Sequence, residues 1–253
     1  MEVVMTSGKD LPGTHIQRRP NARALANRYI QEWEKKRLEL KKDKSRFRMP
    51  PTICLSRRIG VGVQEIADIL AEKTGYRVID REIIEHIPYH SQLSEKTVTF
   101  FNGLYPGIIG EYLSLIAGEK GFSASDNAKH LFSAVLSLAS LEPAIFVGRG
   151  AHLILPRNRV LAVRFTCAVK DRIERLAGIY NLTLKEAKNK VGQLDKQQND
   201  FFKIVFGKKK ISPYDFDLVI NCDFIREPQW AAEIVASALK EKFGAEGASS
   251  ETL

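Results

Sequence analysis

Five short apolar runs, each followed by polar residues or a glycine, constrain the fold of this chain more than any other feature. The runs lie at 52–56, 76–79, 144–147, 159–167 and 217–222, and helical patterns follow at about 63–74, 169–180, 183–205 and 228–243. Strands that alternate with helices predict an α/β fold with a doubly wound, mostly parallel five-stranded sheet and flanking helices. Ligands of such sheets bind beyond the carboxyl ends of the strands. The sequence therefore predicts a functional site where these runs end.

The charge of the chain is unevenly distributed. Residues 1–49 hold 13 Lys and Arg against 6 Asp and Glu, whereas residues 50–253 hold 26 against 24. The nearly balanced domain argues against nucleic-acid binding by the protein as a whole.

No apolar run approaches the ~18 residues that a membrane span requires, and the N-terminus lacks the pattern of a secretory signal. The three cysteines show no CxxC spacing and suit packing thiols in a reducing cytoplasm, so we expect a cytoplasmic protein without a transmembrane segment.

The basic N-terminal segment predicts a helix of its own. Residues 20–46 form a polar pattern in which Leu25, Tyr29 and Trp33 make a narrow apolar stripe beside a basic face. The sequence MPP at 49–51 interrupts this pattern. We interpret residues 1–50 as a basic, largely helical extension. Three roles are open for this segment: a plain solvated extension, a helix that docks a protein partner or a second copy, or a contact for RNA or an anionic membrane.

The segment SRRIGVGVQE, residues 56–65, follows the first strand and opens the first helix. Such a turn lines a concavity with backbone N–H groups, and the helix dipole favours a phosphate there. Gly60 and Gly62 allow the tight turn. When this segment is aligned with the P-loop pattern GxxxxGK[ST], Val63 occupies the lysine position, and Gln64 and Glu65 occupy the next two positions. From these residues alone, a glycine turn shaped only for packing remains an equal alternative.

Four segments, which include this loop and occur in order along the chain, together resemble a known protein family. They are ICLSRRIGVGVQEIADILAEKTGYRVIDREIIE, IFVGRGAHLIL, DRIERLAGIYNLTLKEAKNKVGQLDKQQNDFFKIVFGKK and YDFDLVIN. They resemble the cytidylate kinase-like family of P-loop nucleoside monophosphate kinases over about residues 51–242. The loop of that family typically reads S-R-x-F-G-S-G-G-R-E-I, so the missing lysine is a family trait. The resemblance implies a domain at 51–243, with a helical insert at about 91–141, a lid at about 169–210 and a disordered tail at 244–253.

The resemblance also implies substrates and residue roles. ATP with Mg²⁺ is the expected donor, and a nucleoside monophosphate, CMP first, the expected acceptor. The expected ATP-phosphate residues are Ser56, Arg57, Arg58, Gly60, Val61, Gly62, Val63, Gln64 and Glu65. The expected acceptor-binding residues are Asp80, Arg81, Gly148 and Arg149, and the expected lid residues are Asp171, Asp195, Gln198 and Lys203. The cations expected to act in catalysis are Arg57, Arg172, Arg175 and Lys196, and no metal-ligating residue is predicted.

Several of these predicted site residues also have a simpler structural role. Asp80 is also a good helix N-cap, and Arg172 and Arg175 also suit exposed arginines paired with Asp171 and Glu174. Glutamine replaces the family's arginine at two positions, Gln64 and Gln198.

The two glutamine replacements leave two functions open, because they affect catalysis more than binding. An arginine that stabilises a transferring phosphoryl group is worth about 10³–10⁵ in rate, whereas a charge-assisted hydrogen bond adds only about 1.5–3 kcal/mol to binding. The first function is a kinase that moves the γ-phosphoryl of Mg-ATP to a nucleoside monophosphate. The second is a nucleotide-binding regulatory or scaffold protein with little turnover, which recruits a partner through its basic N-terminal helix.

Overall fold

The structure, a computed structural model, describes residues 21–40, 47–87, 91–105, 122–207 and 211–244. The strands are β1 (Thr52–Arg57), β2 (Arg77–Ile79), β3 (Ala144–Val147), β4 (Val160–Thr166) and β5 (Leu218–Asn221). The helices are α1 (Ala22–Leu40), α2 (Val63–Thr74), α3 (Arg81–His86), α4 (Ser91–Leu104), α5 (Phe122–Ala139), α6 (Ala151–Ile154), α7 (Val169–Tyr180), α8 (Leu184–Phe206) and α9 (Pro228–Phe243). Short 3₁₀ turns lie at Arg157–Arg159 and Pro213–Asp215.

All five strands form one parallel sheet in the order β2-β3-β1-β4-β5, which confirms the predicted α/β fold. Alternate strand residues enter two different cores: Ile53 and Leu55 face the side of α2 and α9, whereas Cys54 faces the side of α1, α4 and α5. Burial on both faces explains why the strand segments are apolar throughout rather than alternating. The central β1 lies between β3 and β4, so its end at Arg57 lies at the middle of the carboxyl edge.

Between the two lid helices, the sequence predicts Asn181 as a helix stop and Thr183 as a new N-cap, and the structure confirms both. α7 ends at Asn181, which adopts the left-handed conformation with φ 51°. Thr183 caps α8: its hydroxyl accepts from the Glu186 backbone N–H, and the Glu186 carboxylate accepts from the Thr183 N–H. This reciprocal pair satisfies two donors that the helix start leaves free. The hydrogen bonds therefore fix the turn between the two lid helices.

The helix predicted in the basic N-terminal segment is present as α1, but it is not a plain solvated extension. α1 packs into the core, and Ala26 and Trp33 are fully buried. Trp33 stacks on Phe101 with ring centroids 5.3 Å apart, and its indole N–H donates to Thr97 Oγ1 at 3.1 Å. The apolar face is wider than the predicted stripe because small alanines and Ile30 complete it. Little of the apolar face of α1 is therefore left for docking a partner.

Several predicted segments lie wholly or partly outside the described residues. These are 1–20 and 41–46 of the N-terminal segment, 106–121 of the helical insert, 208–210 of the lid and 245–253 of the tail. Of the helices that the structure describes, none is long and apolar enough to cross a membrane.

Candidate functional site

The turn between β1 and α2 has the backbone of a phosphate-binding loop. Gly60 and Gly62 both adopt positive φ, 85° and 84°. Gly62 is the N-cap of α2 and supplies no side chain, so no side-chain cap covers the first turn of that helix. The first N–H groups of a helix lack partners within the helix and favour an anion. The loop therefore presents donors where a phosphate would sit.

A cavity of about 590 Å³ opens beside this loop. Its size lies within the range of small-molecule sites, about 300–1,000 Å³. One wall is the loop and the start of α2, a second is α7, and the third is the turn after β5. The lining residues include Arg57–Ile66, Asp68, Ile69, Glu72, Arg175, Leu176, Ile179, Tyr180, Cys222, Ile225, Arg226, Pro228 and Gln229. The sequence did not reveal the third wall, because no motif marks residues 222–229.

Arg172 fastens the lid to the loop. Its side chain is buried, with its residue 1% exposed, and its Nε donates to the Ile59 carbonyl at 2.7 Å. Its Nη2 donates to Asp195 Oδ1 on α8 at 2.6 Å. Both ends of the guanidinium group are thus engaged by the protein. These contacts hold the lid helices to the loop, and the catalytic role of Arg172 stays a prediction.

Arg175, one helical turn further along α7, reaches the loop from the cavity side. Its Nη1 donates to the carbonyls of Gly60, at 3.4 Å, and Val61. Arg175 lines the cavity and is exposed. It brings a positive charge to the loop, where Val63 stands at the lysine position. Arg175 is therefore the better of the two candidate lid cations.

Gly62 allows Arg175 to approach this closely. A Cβ at Gly62 would clash with the Arg175 Nη1, and alanine at φ 84° carries backbone strain as well. We expect Gly62→Ala to lower the free energy of unfolding by about 1–2 kcal/mol, the cost of a left-handed residue, because the end of the exposed Arg175 side chain can move aside. Gly207→Ala is the matched control, because Gly207 has φ 63° and open space around its Cβ position. Urea denaturation compares the two variants, and a much larger loss for Gly62→Ala than for Gly207→Ala would contradict a movable Arg175.

The other lid residues divide into loop contacts and exposed positions. Gln198 Nε2 donates to the Arg57 carbonyl at 2.9 Å, and Arg58 pairs with Asp195 at 3.2 Å. Asp171, Lys196 and Lys203 are exposed on the lid helices. Gln198 therefore supports the loop backbone at the position where the family has an arginine. The structure shows no such contact for Lys196, whose catalytic role remains a prediction.

The hydroxyl of Ser56 is turned toward the sheet rather than left to solvent. Ser56 is buried, and its Oγ accepts from Arg164 Nη1 at 2.9 Å. Arg164 lies on the neighbouring strand β4, paired in register with Ser56. Sequence reasoning missed Arg164, because an arginine within an apolar run carries no motif. Its hydrogen bond fixes Ser56 at the end of β1.

On the other side of β1, the predicted acceptor residues converge. Asp80 caps α3 by accepting from the Ile83 N–H at 3.1 Å, as its simpler role predicts. Glu85 pairs with Arg81 at 2.6 Å and also with Arg149. The Arg149 guanidinium lies 5.0 Å from the centre of the Phe201 ring. Glu85 carries no motif and was not predicted, yet it holds two predicted acceptor residues together.

Arg149 has an unusual backbone. It adopts φ 53° between Gly148 and Gly150, which also have positive φ. A non-glycine residue in the left-handed region is uncommon, and such positions concentrate at functional sites. The strained turn after β3 therefore marks Arg149 as a functional candidate by backbone geometry, independently of its sequence motif.

Burial lowers the pKa of three arginines at this site, and neighbouring arginines add to the effect for two of them. Burial, followed by the charges of Arg81 and Arg57, lowers the pKa of Arg149 to about 9. Burial, followed by Arg81, lowers the pKa of Arg57 to about 10, although Asp80 opposes this change. Burial lowers the pKa of Arg81 to about 10. All three remain charged at pH 7, so with Asp80 and Glu85 beside them the site keeps a net positive charge that would favour an anion.

One group among the described residues has the composition of a metal site. Single ligand atoms of Cys167, Asp171 and Asp223 lie within 4.8 Å of one another. Burial and the Asp223 carboxyl raise the pKa of the Cys167 thiol to about 11. Asp171 is exposed, and exposed acidic groups commonly lie this close together without an ion. The grouping by itself therefore does not identify a metal site.

The parallel sheet, the glycine loop at its centre and the lid helices together define a P-loop kinase fold. The chain belongs to the cytidylate kinase-like family, whose sequence model matches residues 52–223. α1 lies outside this match. No curated protein matches the chain.

Solved structures resemble the chain at low sequence identity. An uncharacterized protein from Eubacterium ventriosum is 17% identical with a TM-score of 0.59, and the match covers 76% of this chain and 98% of that protein. A shikimate kinase from Bacteroides thetaiotaomicron is 17% identical with a TM-score of 0.38, covering 76% of this chain and 96% of the kinase. A gluconokinase from Sinorhizobium meliloti is 14% identical with a TM-score of 0.39, covering 77% and 98%. The first likeness supports the fold, and the last two are too loose to support an argument.

Proposed function

We propose that the protein is a kinase that transfers the γ-phosphoryl group of Mg-ATP to a nucleoside monophosphate, with CMP as the first candidate. One observation carries the proposal: two anion-binding arrangements lie on either side of β1 at the same edge of the sheet. The nucleotide-sized cavity beside the loop is the first. The arginines around Glu85 are the second. A phosphoryl transferase needs a donor and an acceptor phosphate placed in this way, because its catalysis is mostly positioning and charge neutralisation.

The donor would occupy the cavity beside the loop. Its phosphates would accept from the N–H groups at the start of α2, and Arg175 would add positive charge at the loop. The apolar surfaces of Ile179 and Ile225, on opposite walls, suit the base. Mg²⁺ would be held mainly by the nucleotide phosphates and water, as is usual for this ion. The side-chain oxygen of Gln64, buried and without a hydrogen-bond partner in the described structure, offers one further neutral ligand atom.

The acceptor phosphate would lie between Arg81 and Arg149. Arginine suits this role because its planar fork donates two parallel hydrogen bonds to a phosphate. Gly148 and Asp80 shape the site around these side chains, since Gly148 precedes the strained turn and Asp80 caps the helix that carries Arg81. A cytoplasmic location would suit this activity.

Catalytically weak nucleotide binding is the alternative function. It is favoured by the use of Arg172 and Gln198 as structural contacts, which removes two lid side chains from those available to the transferring group. Partner recruitment through α1 would then depend on its exposed polar face, because its apolar face is buried. The two functions share the loop and differ in turnover.

Turnover tests the proposal directly. ADP formation from Mg-ATP is measured at high enzyme concentration with CMP, dCMP, UMP, AMP and GMP separately. We expect activity with one pyrimidine acceptor, and we expect Arg149→Ala to lower kcat/KM about 10- to 150-fold, the value of a charge-assisted hydrogen bond. Arg157→Ala is the control, because Arg157 pairs with Asp217 at 2.8 Å at the opposite end of the sheet. Folded protein with no turnover on any acceptor would reject the kinase in favour of the alternative.

A further inference from the structure

Arg57 lies at the boundary between the two halves of the proposed site. It is the last residue of β1 and stands where a P-loop normally has its first glycine. Its carbonyl accepts from Gln198 on the lid. Its side chain, however, approaches the turn after β3: a Cβ at Gly148 would lie 3.0 Å from Arg57 Nη1. The backbone of Arg57 thus serves the donor loop while its guanidinium extends toward the acceptor side.

The position of Gly148 shows that this approach is built into the fold. The Gly148 N–H donates to the Leu55 carbonyl at 2.9 Å, which holds the turn after β3 against the end of β1. Gly148 has φ 86°, and the absence of a side chain leaves room for the Arg57 guanidinium. The next residue is the strained Arg149. Arg57 and Arg149 are therefore brought to the same place by backbone geometry.

The charges at this place are unbalanced. Among the residues that the structure describes, the guanidinium groups of Arg57, Arg81 and Arg149 face two carboxylates, Asp80 and Glu85. Asp80 also caps α3, and Glu85 already pairs with two arginines. A phosphomonoester dianion has three terminal oxygens that accept hydrogen bonds, whereas its methyl ester has two and carries less charge, so three guanidinium groups would bind the dianion more strongly.

We propose that Arg57 binds the acceptor phosphate, as a third arginine beside Arg81 and Arg149, and that the site thereby selects a dianionic phosphomonoester as acceptor. This inference rests on the proposed function, which supplies the acceptor. It assigns the arginine of the donor loop to the opposite substrate. Arg57 is then a determinant of the charge of the acceptor, and the donor phosphates depend on the loop backbone and Arg175.

Binding measurements without turnover test the inference. The nucleoside monophosphate that binds best among CMP, dCMP, UMP, AMP and GMP is compared with its phosphate methyl ester, which carries one charge, and with the uncharged nucleoside. Isothermal titration calorimetry gives Kd for the native protein, Arg57→Gln, Arg57→Lys and the control Arg157→Gln. The non-hydrolysable donor analogue AMP-PNP with Mg²⁺ is titrated into each variant as the donor probe.

We expect Arg57→Gln to weaken binding of the monophosphate about 10- to 100-fold while weakening the methyl ester much less. Arg57→Lys should lie between Arg57→Gln and the native protein, because it retains the charge but loses the fork. AMP-PNP binding should change less than about threefold, well below the loss of one charge-assisted hydrogen bond. This dependence on ligand charge separates a phosphate ligand from a structural role, which would weaken all ligands alike. If Arg57→Gln does not fold, Arg57→Lys is judged by the same comparison of ligands.

Three outcomes would overturn the inference: equal losses for monophosphate and methyl ester, a loss confined to AMP-PNP, or no binding of any monophosphate to the native protein. The proposed function is judged separately by ADP formation. Charge-dependent binding without turnover would support the role of Arg57 and reject the kinase. Turnover with equal losses for both esters would support the kinase and reject this role.

Discussion

Replacing Arg172 by alanine is expected to lower the free energy of unfolding by about 3–5 kcal/mol, the usual loss when one partner of a buried ion pair is removed. Arg172 is 1% exposed, and the side chain of its partner Asp195 is 19% exposed. The substitution leaves Asp195 with only the exposed Arg58 as its charged neighbour among the described ion pairs and removes the donor to the Ile59 carbonyl. Urea denaturation measures the change.

The control for this prediction lies on the same helix. Lys170 pairs with Glu174 at 3.9 Å, and its side chain is 83% exposed. Lys170→Ala should therefore change the free energy of unfolding by less than about 0.5 kcal/mol. An unchanged denaturation midpoint for Arg172→Ala, combined with lost turnover, would contradict the structural role and restore the catalytic role that the sequence predicted.

Trp33→Ala is expected to cost about 3–5 kcal/mol of unfolding free energy, the loss typical of a large aromatic side chain in a core. Trp33 is fully buried. It stacks on Phe101, meets Phe100 edge-on at 5.9 Å and donates to Thr97. These contacts join α1 to α4, so removing the indole leaves a cavity and takes away the hydrogen-bond donor to the threonine hydroxyl.

Leu38→Ala provides the comparison within α1. Leu38 is 56% exposed, and its removal should cost less than about 0.5 kcal/mol. Both variants are measured by urea denaturation of the full chain. If Trp33→Ala costs as little as Leu38→Ala, α1 behaves as the plain solvated extension that was one of the three roles left open by the sequence. A large loss shows that the folded unit begins before residue 52, where the family match begins.

The local rules of the sequence predicted the fold well. Apolar runs, each short and followed by glycine or polar residues, predicted all five strands, and the order of strands and helices implied a parallel sheet. The helix stop at Asn181 and the N-cap at Thr183 could be predicted because a helix end depends on residues that are adjacent in sequence. The face of α1 was underestimated because alanines count little in a hydrophobic pattern, although they pack closely in a core.

The candidate site was predicted in part. The motifs located the loop and the turn after β3, since each lies within one short segment. Glu85 and the cavity wall at 222–229 were missed, because their roles depend on neighbours far along the chain. The structural contacts of Arg172 were also missed, because its motif does not show that Ile59 and Asp195 would engage both ends of the guanidinium group.

The sequence by itself thus determined the strands, the glycine loop and the kinase family of this protein. The tertiary structure alone decided that Arg81 and Arg149 share Glu85, whereas Arg172 contacts the loop and the second lid helix. It also decided that α1 belongs to the core and that Arg57 extends toward Arg149. The physical reason is that burial, ion pairing and close approach depend on distances between residues separated by dozens of positions, whereas a strand, a turn or a helix cap depends mainly on neighbours in the chain.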